Sequence, residues 1–263
     1  MGLTIGSANK IIKLKFKKKH LMLTLGKQSV AFYLNDLKKY ILVNASDKIR
    51  GRFKYLIAKK KFIYLKKENK KHINDFFYHL LGFKKIVSLD VSGYQGANII
   101  FDLNKNYIPN KIKNIADFIL DASTLEHIFN TKNALQNLHK ILKKNGLICH
   151  ILPSNNMPKD GFYQFSPDLF INYYKLNGYK IQTKFFWVFD YQKKIFSKTV
   201  KSKSGKDYYF NDYDKALKFS NKFNYPLQII LVAKKITNKS KITVPFQEYY
   251  HNKKKWKKYL YKT

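Results

Sequence analysis

The sequence predicts an open α/β domain with a mostly parallel sheet and helices on both of its faces. Short apolar runs at Ile86–Leu89, Asn98–Phe101, Ala116–Leu120 and Leu147–Leu152 alternate with helical patterns, and that alternation builds βαβ units with parallel strands. Each run also ends in a carboxylate or a polar cluster: Asp90, Asp102, Asp121-Ala122-Ser123 and Pro153-Ser154-Asn155. Open parallel sheets bind ligands in the crevice at the carboxyl ends of their strands, so these residues are expected to line one pocket.

The elements follow in order. The apolar run Leu21–Leu25 reads as the first strand, stopped by Gly26-Lys27-Gln28, and a helical pattern follows through Val30, Leu34, Leu37 and Ile41. Strand, glycine turn and helix form the first half of a nucleotide-binding βαβ unit. The turn has no GxGxxG, which argues against a dinucleotide, whose pyrophosphate needs close backbone approach at the helix start. Between Ser46 and Lys71 lies a lysine-dense insertion with interleaved Phe53, Tyr55, Phe62 and Tyr64. Aromatics that stack on bases among cations that follow phosphates would look like this, but an amphipathic element lying on the domain is the preferred reading. His72–Leu81 reads as a helix stopped by Gly82, and Leu125–Leu142 as a helix closed by Asn145-Gly146. Ser166-Pro167-Asp168 starts another helix and Asn177-Gly178 ends it. Two further strands are expected at Tyr179–Asp190 and Leu227–Ala233, with a polar, lysine-rich connection between them. The expected layout is a basic lead-in at 1–19, a domain at 20–235 with the insertion at about 46–71, and a basic, partly disordered tail at 236–263.

The formal charge of +36 suggests a nucleic-acid or anionic-membrane partner. Of the 52 basic residues, however, only Arg50 and Arg52 are arginine, whereas phosphate and base recognition favours the arginine fork. The charge is therefore read chiefly as lysine on solvated faces. Cys149 is alone in an apolar run, which gives neither a disulfide framework nor a cysteine-based metal site, and the seven histidines show no ligand spacing. No secretory core, myristoylation signal or membrane-spanning run is present, so a cytoplasmic location is expected.

Three stretches carry a family likeness. Ala116-Asp117-Phe118-Ile119-Leu120-Asp121-Ala122-Ser123-Thr124-Leu125-Glu126-His127-Ile128 resembles the fourth-strand signature of class I S-adenosylmethionine-dependent methyltransferases, an Asp-rich strand running into Leu-Glu-His. Leu142-Lys143-Lys144-Asn145-Gly146-Leu147 is similar to the stretch before that family's fifth strand. Gly161-Phe162-Tyr163-Gln164-Phe165-Ser166-Pro167 is similar to a substrate-side loop in a bacterial branch. The resemblance covers about residues 20 to 190. It implies a Rossmann-like methyltransferase fold with a mostly parallel seven-stranded sheet and an antiparallel last strand, S-adenosyl-L-methionine as cofactor, and a small-molecule or glycan-type acceptor.

By position, the resemblance puts Gly26 in the turn under the methionine moiety and Asp90 on both ribose hydroxyls, where a carboxylate can accept two donors. It puts Asp102 and Leu103 beside the adenine, and Asp121, Ala122 and Ser123 beside the amino-acid end. Asp90 and Asp102 also suit turns and caps, and Asp121 suits a helix cap. A heteroatom acceptor must lose a proton, and His127, Glu126 and Asp160 are the candidate catalytic residues. Two departures from the family pattern stand out: Asp160 occupies a position where related sequences tend to carry histidine, and the Gly26 turn keeps one glycine where fuller motifs keep two or three. A non-catalytic methyltransferase-like binding module, and an RNA-binding protein or RNA methyltransferase, are the rival functions.

Overall fold

The computed structural model describes residues 3, 5–14, 16, 20–28, 37–39, 41, 45–58, 74–190, 207–239 and 242–245. Eight strands form one sheet: β1 (Leu21–Leu25), β2 (Lys85–Asp90), β3 (Ile99–Ile100), β4 (Ala116–Ala122), β5 (Leu142–Asn155), β6 (Tyr179–Phe189), β7 (Asp207–Phe210) and β8 (Leu227–Lys235). Their order is β3-β2-β1-β4-β5-β8-β6-β7. The first five run parallel, while β8 is antiparallel to both β5 and β6, and β7 is antiparallel to β6. This is the Rossmann-like arrangement expected from the sequence, with the last strand antiparallel.

Strand β1 is buried along its whole length, as a central parallel strand must be. Its alternate residues serve two cores. Met22 joins Phe118, Leu120, Cys149 and Ile151 on the face that also carries residues of α1 (Ile5–Ile12), α2 (Asp47–Ala58) and α3 (Asn74–Leu81). Leu21, Leu23 and Leu25 join Ile119 and Ile148 on the face covered by α4 (Thr131–Ile141), α5 (Pro167–Leu176) and α6 (Tyr213–Phe223). The order reverses beside β1: β2 lies on one side and β4 on the other, with Met22 opposite Phe118 and Thr24 opposite Leu120. An open sheet parts its flanking loops at such a reversal, so the crevice opens at the carboxyl ends of β1 and β4.

Four elements differ from expectation. The stretch 125–142 is not one helix. Asp121 Oδ1 accepts the N–H groups of Thr124 and Leu125 and winds Leu125–His127 into a 3-10 turn, and α4 begins only after Asn130, whose side chain accepts the Asn133 N–H. The sheet has eight strands rather than seven. The extra strand, β7, lies in the polar connection, where Trp187 stacks on Tyr209 and donates its indole N–H to Asp207 at 2.9 Å. The same connection holds α6, capped by Asp212. The basic lead-in contains α1, with Leu3, Ala8 and Ile11 buried in the core.

The insertion contributes α2, whose Ile49, Phe53 and Leu56 are buried, while Arg52 donates to the Leu80 carbonyl. Phe62, Tyr64 and most of the helix expected after Gln28 lie outside the described residues, as do all tail residues beyond 245. Among the described residues, no helix is long and apolar enough to cross a membrane.

Candidate active site

The turn after β1 forms the crevice floor. Gly26 takes φ +66° and donates its N–H to the Leu89 carbonyl at 2.7 Å, which joins it to the end of β2. That conformation favours glycine. A Cβ at this position would stand 3.6 Å from Asp90 Oδ2 and 3.8 Å from Thr124 Oγ1, so three strand ends meet around one bare Cα. Thr124 Oγ1 donates to the Leu25 carbonyl at 2.9 Å. Gln28, which is buried, sends its Nε2 to the Leu25 carbonyl and to Thr124 Oγ1. Its Oε1 is also buried and has no partner.

Asp90 is half-buried. Its Oδ1 accepts the Ser92 N–H at 3.2 Å in a local turn, while Oδ2 faces Gly26. The following loop approaches Lys27, whose Nζ would lie 3.6 Å from a Cβ on Gly96, and Tyr94 on this loop is 93% exposed. Asp102 Oδ1 accepts both the backbone N–H and the side-chain amide of Asn104. Leu103 is buried, and its carbonyl accepts from Asn137 of α4 at 3.2 Å. Asp90 and Asp102 are brought together by the Phe101 N–H, which donates to the Asp90 carbonyl. Both carboxylates thus hold turns, as their rival reading allows, and each turn uses only one oxygen.

Asp121 takes the cap role that its residue type also suits. Its carboxylate is fully buried: Oδ1 caps the 3-10 turn and Oδ2 lies 2.7 Å from His150 Nδ1. His150 Nε2 lies 2.6 Å from the Tyr174 hydroxyl, so the chain Asp121, His150, Tyr174 clamps β4, β5 and α5 together. Adjacent registers explain this, because Asp121 sits directly opposite His150 in the sheet. Burial holds the Tyr174 phenol well above its ordinary pKa. Ala122 is buried, and Ser123 takes φ +62°, which turns the chain out of β4.

The catalytic candidates separate. His127 is exposed on the 3-10 turn. Glu126 is fully enclosed, with both carboxyl oxygens buried and without a hydrogen-bond partner. Asp160 Oδ2 is likewise buried and unpartnered. The loop after β5 brings these two together. Phe162 donates its N–H to the Glu126 carbonyl at 2.8 Å, and a Cβ on Gly161 would stand 2.8 Å from Glu126 Cγ. Burial, followed by the nearby Asp121 and then Asp160, pushes the Glu126 carboxyl up to about 8; the Ser123 hydroxyl and Glu126's own backbone N–H offset this in part without reaching good hydrogen-bond geometry.

Above this pair stands an aromatic rim. Phe129 and Phe162, 73% and 69% exposed, meet edge to face at 6.2 Å, and the Tyr163 hydroxyl donates to the Phe129 carbonyl at 2.9 Å. Gln28, Thr124, His150 and Phe129 were not singled out from sequence, whereas the loop 161–167, which carries Phe162 and Tyr163, was. His150 had a legible signal, a polar residue in the middle of an apolar strand. Phe129 had none, because it meets Phe162 from a different loop.

No protein family profile matches this chain, and no curated protein matches it. Solved structures do. A protein from Bacillus halodurans described as a methyltransferase is 11% identical, with TM-score 0.46, over 88% of this chain and 98% of its own. A protein from Listeria monocytogenes described as an S-adenosylmethionine-dependent methyltransferase is 10% identical, with TM-score 0.44, over 88% of this chain and 99% of its own. An S-adenosylmethionine-dependent methyltransferase from Mesorhizobium loti is 10% identical, with TM-score 0.41, over 87% of this chain and 96% of its own. Likeness at this level does not assign an activity; the fold stands on the strand order and the function on the crevice.

Proposed function

We propose that this chain is a class I S-adenosylmethionine-dependent methyltransferase acting on a small-molecule acceptor. One observation carries the reading: at the strand-order reversal, the bare Cα of Gly26 faces Asp90 Oδ2 and Thr124 Oγ1. A side chain at position 26 would fill that cradle, and the unpartnered Oε1 of Gln28 adjoins it. These residues fit the cofactor. Asp90 accepts the ribose hydroxyls, Leu103 and Asp102 border the adenine, and Gly26 with Ala122 and Ser123 borders the amino-acid end.

When bound, S-adenosylmethionine supplies an activated methyl group on a good leaving group. The protein's work is then to position an acceptor in line with that methyl group and to remove a proton. Phe129, Phe162 and Tyr163 offer apolar contact for the body of the acceptor, which favours a compact, partly apolar or aromatic molecule. A glycan-type acceptor would use the same faces for stacking. Glu126 and Asp160 are the groups placed to receive a proton.

Calorimetric titration with S-adenosylmethionine and S-adenosylhomocysteine, repeated on Asp90→Ala, tests the reading. Micromolar affinity that falls at least tenfold in the folded variant supports it. Absence of binding by the wild type would leave the fold as a non-catalytic module. RNA affinity that persists at physiological salt would instead favour the RNA reading.

A further inference from the structure

We propose that Glu126, enclosed beside Asp160, is a proton store for methyl transfer: it holds a proton in the free protein, releases it when a cationic methyl donor binds, and regains one from the methyl acceptor. The inference rests on the reading above, that the carboxyl edge of the sheet takes S-adenosylmethionine.

The geometry is that of an enclosed carboxyl whose charged neighbours, among the described residues, are acidic. Glu126 has no exposed surface, and neither of its carboxyl oxygens has a partner. Asp160 Oδ2 is buried in the same condition. The Phe162 N–H bond to the Glu126 carbonyl and the close approach of Gly161 shut the β5 loop over the 3-10 turn. The charged groups acting on Glu126 are Asp121 of β4 and Asp160 of the β5 loop, both acidic. Behind Asp121 stand His150 of β5 and Tyr174 of α5, already bonded to it and to each other.

A carboxyl enclosed in this way, with two acidic neighbours, resists ionising, so Glu126 keeps its proton. The position of Glu126 near 8 agrees with this at neutral pH. Among the described residues, no group of three or more potential ligands is arranged to hold a metal. A cation carried in by the ligand would complete this carboxyl, and a sulfonium is such a cation.

The sulfonium charge also disappears during the reaction, which makes the store reversible. Glu126, ionised while the donor is bound, gains the proton that the acceptor gives up as its oxygen or nitrogen bonds to the methyl carbon. The electron pair of the broken carbon–sulfur bond remains on sulfur as a neutral thioether. One positive charge is consumed and one proton is gained by Glu126, so the enclosure again holds a neutral ligand beside a protonated carboxyl. Such coupling favours the donor over its product.

The test is proton-linked calorimetry of the full chain near neutral pH, in phosphate and in Tris, whose ionisation enthalpies differ. S-adenosylmethionine and S-adenosylhomocysteine carry the same ammonium and carboxylate, so their difference isolates the sulfonium. The expected result is release of about one proton with the first ligand and close to none with the second. Glu126→Gln should abolish the release and keep S-adenosylhomocysteine affinity within about threefold; if that variant does not fold, Asp160→Asn should reduce the release. Equal release with both ligands, or release unchanged in the folded variant, overturns the proposal and leaves the methyltransferase reading standing. Absence of binding by either ligand overturns that reading, and the proposal with it.

Discussion

At the amino-terminal edge of the sheet, Asp117 accepts the N–H groups of His20 and Leu21 and meets Lys143 at 3.1 Å, while the buried Lys235 donates to the carbonyls of His139 and Leu142. At the carboxyl-terminal edge, Glu126 is fully buried and Asp160 half-buried, and among the described residues both Glu126 carboxyl oxygens and Asp160 Oδ2 are enclosed without a partner. The same fold therefore treats buried charge in two ways. A satisfied charge joins elements together: Asp117 ties the start of β1 to β4 and β5, and Lys235 caps the end of α4. An unsatisfied charge costs stability, and it persists where a ligand can complete it.

That contrast can be broken by substitution. The largest expected effect is Asp117→Ala, which strips two N–H groups and Lys143 of their acceptor. A loss of about 3 kcal/mol in urea unfolding is expected, with donor affinity of the folded fraction unchanged. A loss below about 1 kcal/mol would show that the amino edge is not the joint described.

The second effect depends on pH. Glu126 is raised from 4.5 to about 8 by burial and then by Asp121 and Asp160. The folded state thus binds its proton more tightly than the unfolded state does. Its stabilising contribution is complete below 4.5 and is lost as pH rises toward 8. Glu126→Gln has no such loss, so its stability relative to wild type should climb across that window by on the order of 2 kcal/mol. A flat difference from pH 5 to 8 would contradict the enclosure.

Gly161→Ala should come next. A Cβ there would be 2.8 Å from both Glu126 Cγ and the Glu126 carbonyl, at a backbone φ of +112°. A loss of about 1–2 kcal/mol is expected, together with weaker binding of S-adenosylmethionine. The smallest effect is expected at Lys235→Met. Burial lowers the lysine to about 8, so its two carbonyl bonds only narrowly outweigh desolvation, and a change within about 1 kcal/mol in thermal unfolding is expected.

The sequence disclosed the strands and helix ends better than the crevice. Local signals wrote themselves plainly: Gly82 at φ +99° ends α3, Ser166 caps α5 beside Pro167, and the apolar runs mark the buried strands. Asp90, Asp102 and Gly26 were legible because strand ends are visible in one dimension. The cap formed by Asp121 was legible for the same reason, but its bond to His150 was not, because His150 lies 29 positions away and is joined to it only by sheet register. The short helix turn at Leu125–His127 was hidden because apolar spacing continues through it, while the break comes from Asp121 capping from behind. Strand β7 was obscured by its polar residues, since an edge strand buries little.

Hydrogen–deuterium exchange of the full chain with and without S-adenosylhomocysteine would separate the two edges most directly. The account predicts slowed exchange at residues 26–28, 90–103 and 122–126, and no change at 116–118 or 234–235. Protection confined to the amino edge or to the basic insertion, with none around Gly26 and Asp90, would contradict it.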